Sequence, residues 1–198
     1  MDFEDYRTIF IIGTLICVLL AATPALSIFI SLPKSGEKFS EFWYLGPNHM
    51  AEDYPFNVTV DEQYNIYLDI VNHMGNSIYY AVYVKFRNET QLLPNATWSL
   101  PSPLPALYEF RALVQDGATW ERPFLFSFSE ISVLGDSCSV NKLVINNYLV
   151  NMNSSANWNA ERNGFYFQLF FELWFYDVSL KSLHFHNRFV TLWLNMTG

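Results

Sequence analysis

Two hydrophobic patterns divide the chain. Residues 8–32 run Thr-Ile-Phe-Ile-Ile-Gly-Thr-Leu-Ile-Cys-Val-Leu-Leu-Ala-Ala-Thr-Pro-Ala-Leu-Ser-Ile-Phe-Ile-Ser-Leu and contain no charged side chain. About 20 such residues in a helix cross about 30 Å of hydrocarbon, so the run predicts one transmembrane helix over 8–32. Pro24 lies late in it, where it kinks or ends the helix. Residues 1–7 carry three acids and one base, unlike the basic start of a secretory signal, and the apolar run outlasts a signal core. The expectation is a retained single-pass anchor with 1–7 as a cytoplasmic leader.

From residue 33 onward the period becomes two. Residues 37–46 suit a strand, and 56–60 follow a polar loop. In 64–71, Tyr64, Ile66, Leu68 and Ile70 alternate with Asn65, Tyr67, Asp69 and Val71. After a turn at 72–76, Ile78, Tyr80, Val82, Val84 and Phe86 repeat the pattern, which predicts an antiparallel hairpin. Residues 88–105 are proline-rich and read as loop; 107–114 fit a further strand. Residues 119–123 lead into alternating Phe124, Phe126 and Phe128. Residues 129–163, rich in Asn and Ser, suggest an insertion or elaborated edge with one strand at 143–150. Residues 165–176 alternate without a break and predict a central strand. A last strand spans 189–196. Many short strands with turn signals, and no 3.6-residue period, give an all-β, antiparallel β-sandwich over 33–198 behind the N-terminal helix.

Composition narrows the partners. Net charge is −8, with 11 bases among 19 acids, so no basic stripe exists for nucleic acid or an anionic lipid surface. Cys17 falls in the apolar run and Cys138 in the body, and the two are not expected to pair. Phe, Tyr and Trp make 18% of the chain, more than a sandwich of this size readily buries, which points some of them at a partner. Five Asn-x-Ser/Thr sequons, at Asn57, Asn88, Asn95, Asn153 and Asn195, all follow the apolar run. They place the body outside the cytoplasm, although Lys34 and Lys38 after the run against Arg7 before it favour the opposite orientation.

Several blocks carry a resemblance. Glu41-Phe-Trp-Tyr-Leu-Gly-Pro47, Ala51-Glu-Asp-Tyr-Pro55, Asn57-Val-Thr-Val60, Ile70-Val-Asn-His73, Thr119-Trp-Glu-Arg-Pro123 and Leu192-Trp-Leu194 occur in the order found in an archaeal membrane-anchored domain family of unknown function. The chain resembles that family over most of the body, with 129–163 outside it. The resemblance implies an extracytoplasmic, immunoglobulin-like domain attached to membrane helices, with no catalytic residues.

Little chemistry competes with that reading. His184 and His186 would lie on one side of an extended segment, half of a metal site, but neither His49, His73, Cys138, Glu52 nor Asp53 completes a known spacing. No metal, cofactor or catalytic residue is therefore expected. Glu52–Asp53 and Glu121–Arg122 suit turns and strand entries. The expected function is non-enzymatic: an accessory or structural subunit of a membrane or cell-envelope complex, contacting integral membrane or envelope proteins. Gly13 and Cys17 would offer small residues to a partner helix. Tyr67, Trp174 and Tyr176, with Tyr79 and Tyr83, would meet a protein or stack on glycans. The alternatives are a glycan-binding surface module and a pilin-like filament subunit, for which the acidic leader is unsuited.

Overall fold

The computed structural model describes residues 6–7, 9–20 and 37–196. The chain forms two compact units, Met1–Glu37 and Lys38–Gly198. In the first, residues 6–7 and 9–20 are helical. Among the described residues no helix is long and apolar enough to cross a membrane. The expected span extends over residues 8 and 21–32, which lie outside the described residues.

The second unit contains ten strands: β1 (Phe39–Leu45), β2 (Asn57–Val58), β3 (Tyr64–His73), β4 (Ile78–Asn88), β5 (Tyr108–Val114), β6 (Thr119–Leu134), β7 (Ser137–Ile145), β8 (Tyr148–Asn157), β9 (Phe165–Asp177) and β10 (Ser182–Met196). They form two five-stranded sheets, ordered β1-β3-β6-β7-β8 and β2-β10-β9-β4-β5. All pairings are antiparallel except the short β2–β10 pair, which is parallel.

The alternation in β9 becomes the centre of the second sheet. Phe165, Phe167, Leu169, Phe171 and Leu173 enter the core. Each such side chain contributes about 1.5–3 kcal/mol on burial. Phe171 meets Phe124 of the first sheet edge-on, with ring centroids 4.9 Å apart, and Phe86 meets Phe128 at 5.8 Å. These contacts join the sheets into one sandwich.

Three expectations change. The strands β3 and β4 do not form a hairpin: β3 pairs with β1 and β6, and β4 with β5 and β9. Their apolar faces oppose each other across the core instead of sharing one sheet. Asn72, fully buried, holds the crossover. Its amide donates to the carbonyls of Asn76 (2.8 Å) and Val114 (2.9 Å), and its oxygen accepts from the Met74 N–H (2.9 Å) and the Tyr80 hydroxyl (3.2 Å). Those bonds replace the ladder that a hairpin would supply. The expected strand at 143–150 is two strands, broken at Asn146 and Asn147, both with positive φ (47° and 69°). Consecutive left-handed residues make the two-residue turn of a tight hairpin. Segment 129–163 thus finishes β6 and builds β7 and β8, and its Cys138, Val140, Leu143 and Ile145 join the core. Finally, β10 starts at Ser182, before the expected 189, because a bulge between Phe185 and Arg188 lets pairing with β9 continue.

Candidate functional site

The outer face of the first sheet carries the most unusual electrostatics. Trp43 of β1, Asp69 of β3 and Glu121 of β6 lie in register across three strands. The loop after β1 folds over them. It turns at Gly46, whose N–H donates to the Met50 carbonyl at 2.7 Å. A Cβ at Gly46 would stand 1.9 Å from the Glu52 carbonyl oxygen, so only glycine fits. The turn holds His49 at φ 56°. Its ring stacks on Tyr67 at 3.8 Å, and Nδ1 lies 3.1 Å from Glu121 Oε2. Tyr54 closes the loop by donating to the Tyr44 carbonyl at 3.3 Å.

Beneath this cover, Asp69 is only 3% exposed and its Oδ2 has no hydrogen-bond partner. Burial first, then the neighbouring Glu121, pushes its carboxyl up to about 6, with His49 opposing. A carboxyl so placed takes up a proton near neutrality or welcomes a positive group. Sequence reasoning missed it because Asp69 sits at a position that the alternation assigns to the solvent face; only the folded-over loop buries it. Three blocks singled out in the sequence, 41–47, 51–55 and 119–123, converge here.

A second polar cluster lies inside the sandwich. Ser40 Oγ is 2.6 Å from Tyr80 Oη and 2.9 Å from His186 Nε2. Burial holds the His186 imidazole below its ordinary pKa, hence neutral. Every group is paired, so the cluster fixes β1, β4 and β10 relative to one another. His184 instead contacts Ser182 Oγ at 2.8 Å. Both imidazoles flank Phe175, at 6.3 Å (His184) and 5.2 Å (His186) between centroids. Among the described residues no group of three or more His, Cys, Asp or Glu could hold a metal ion.

On the outer face of the second sheet, Lys85 and Glu172 form a buried ion pair at 2.9 Å. Lys85 also donates to the Ser102 carbonyl, and the Ser102 N–H to Glu172 Oε1, each at 2.7 Å. The pair thereby clamps the 89–106 loop over the sheet. Trp174 donates its indole N–H to Glu172 at 3.1 Å and packs edge-on against Tyr83. Trp174 is half-buried and Tyr176 is 37% exposed, whereas Tyr67 lies on the opposite sheet under His49. Tyr67 therefore lies apart from Tyr79, Tyr83, Trp174 and Tyr176, which share the outer face of the second sheet. Gly13 and Cys17 are exposed on the helix.

The sequons differ in access. Asn57, Asn95 and Asn153 are exposed. Asn88 spends its oxygen on the N–H groups of Thr90 and Gln91 and its amide on the Ser155 carbonyl. Asn195 is buried; its oxygen accepts from Phe165 N–H and its amide donates to Asn57.

Residues 33–133 match DUF1616, a domain of unknown function. No curated protein matches the chain in sequence. Among solved structures, it is similar to β-glucosidase from Listeria innocua in complex with glucose, at 11% identity and TM-score 0.42 over 82% of this chain and 17% of that one. The same enzyme in complex with isofagomine gives 9% identity and TM-score 0.39, over 81% and 16%. The chain spans less than a fifth of these proteins, and likeness at this level carries no functional argument.

Proposed function

We propose that this chain, which belongs to the DUF1616 family of domains of unknown function, is an accessory or structural subunit of an archaeal membrane or cell-envelope complex. It works by contact: the N-terminal helix anchors it among lipids and partner helices, and the sandwich stands on the extracytoplasmic side. One observation carries the reading. Ile9, Phe10, Ile11, Ile12, Leu15 and Ile16 are each half or more exposed, so the helix is apolar all round. Such a helix requires lipid or protein around it.

Strand order supports an immunoglobulin-like assignment. Strands β1-β3-β6 face β10-β9-β4-β5, with β7 and β8 extending the first sheet between two strands that are otherwise consecutive in such sandwiches. Exposed sequons at Asn95 and Asn153 fit an extracytoplasmic location. The test is Gly13→Leu. A Cβ at Gly13 meets nothing within 4 Å, so the helix accepts leucine while a closely packed partner helix is pushed away. Membrane proteins that co-purify with the wild-type chain in mild detergent should be lost from the variant; unchanged recovery would count against the reading.

A further inference from the structure

The cleft between the end of β4 and the end of β8 lies apart from the clusters above and has a volume of about 570 Å³, within the range of small-molecule sites. Its walls are held by cross-links rather than by a bound partner. Asn88 donates to the Ser155 carbonyl at 2.7 Å, Asn159 donates to Glu89 Oε2 at 3.2 Å, and Arg162 pairs with Glu89. Trp158 projects between this cleft and a second hollow of about 360 Å³. Its backbone N–H donates to the Asp136 carbonyl at 2.8 Å, and Phe165 props the indole edge-on at 5.0 Å. Trp158 as a whole is 41% exposed.

Among the described residues, no hydrogen bond within the chain occupies the Asn157 amide, the Trp158 indole N–H or the Glu161 carboxylate. The cleft thus offers a planar aromatic face beside an amide, an N–H donor and a carboxylate. Its charges select among guests. Glu89 and Glu161 repel phosphates and carboxylates, while the two neighbouring bases are committed: Arg162 pairs with Glu89 and lies over the Tyr166 ring at 4.5 Å, and Arg87 donates to the Asn88 and Glu89 carbonyls at 2.7 and 2.6 Å. A neutral guest with one C–H face and a rim of hydroxyls satisfies every group.

From this geometry we infer that the Trp158 cleft is a saccharide site, in which a pyranose ring stacks on the indole and its hydroxyls bond to Asn157 and Glu161. The inference is independent of the anchoring role and of Tyr67, Trp174 and Tyr176. The test uses the full chain in a detergent without a sugar headgroup, since maltosides and glucosides would compete. The indole N–H of Trp158 is followed by NMR while methyl β-glucopyranoside, N-acetylglucosamine or open-chain sorbitol is added to about 50 mM, a range that reaches weak millimolar binding.

A saturable shift with at least one cyclic sugar and none with sorbitol is expected. Trp158→Ala should weaken binding, read by saturation transfer to the sugar, at least about tenfold. Glu161→Ala, at an exposed position with no structural bond, should weaken it severalfold with the fold intact. No shift with either cyclic sugar, an equal response to sorbitol, or affinity unchanged in Glu161→Ala would each overturn the assignment.

Discussion

Asp69→Asn should make the protein more stable at neutral pH. The wild-type carboxyl is raised from 3.8 to about 6 by burial and by Glu121, and its Oδ2 has no hydrogen-bond partner. Folding therefore favours the protonated form. The neutral acid's full contribution is present below about pH 3.8 and is lost as pH rises to about 6, above which the charge stays buried at constant cost. At about 1.4 kcal/mol per unit, the difference reaches roughly 3 kcal/mol; relaxation around the exposed Glu121 reduces it, leaving about 1–3 kcal/mol. Asparagine keeps the shape, removes the charge and gives Glu121 a donor. Urea unfolding at intervals from pH 3.5 to 7 measures the difference between variant and wild type, so that other titrating groups cancel to first order. The curves should coincide near pH 3.5 and diverge across about pH 4–6, with the variant higher. A pH-independent difference would mean that folding leaves the Asp69 carboxyl unshifted, and a variant less stable at pH 7 that Asp69 holds a favourable bond as a carboxylate; either would refute the reasoning.

Other consequences follow from the same contacts. Glu172→Gln strands a buried Lys85 and should cost about 3–5 kcal/mol, seen in urea unfolding together with proteolytic nicking in the 89–106 loop. Gly46→Ala sets its Cβ 1.9 Å from the Glu52 carbonyl oxygen and should cost at least about 2 kcal/mol; the thermal midpoint checks it. Burial pushes the Cys138 thiol up to about 11, so maleimide at pH 7 should label it only after denaturation. Glycopeptide mapping of the native protein should find any glycans at Asn57, Asn95 or Asn153 and none at Asn195, whose amide is engaged inside the fold.

Strands were legible wherever core side chains alternate with others along the chain, even in β9, which is buried on both faces. The β9 alternation named its core face residue by residue, and Phe124, Phe126 and Phe128 did the same for β6. Period two reports which face is buried, however, and not which sheet owns the strand. Hence 64–71 and 78–86 read as a hairpin although Asn72 turns the chain across the core. The β8 strand escaped because its inward positions hold Ser154 and Ala156, small residues that give little hydrophobic contrast. Asn146-Asn147 did carry a signal, since adjacent asparagines suit a hairpin turn. The electrostatic site was beyond reach for a related reason. Nothing in the alternation reveals that the 46–52 loop folds back over Asp69, or that the 89–106 loop covers Glu172. Similarly, Trp158 sits in an Asn-rich stretch with no period, and only the meeting of β4 and β8 makes it the wall of a cleft.

The most direct test of the central claim is gentle extraction of the native protein from membranes, followed by mass spectrometry of what accompanies it. The account predicts that alkaline washing leaves the chain in the membrane, and that mild detergent releases it with a stoichiometric set of integral membrane or envelope proteins. Release by the wash alone, or recovery as a lone monomer under every mild condition, would contradict it.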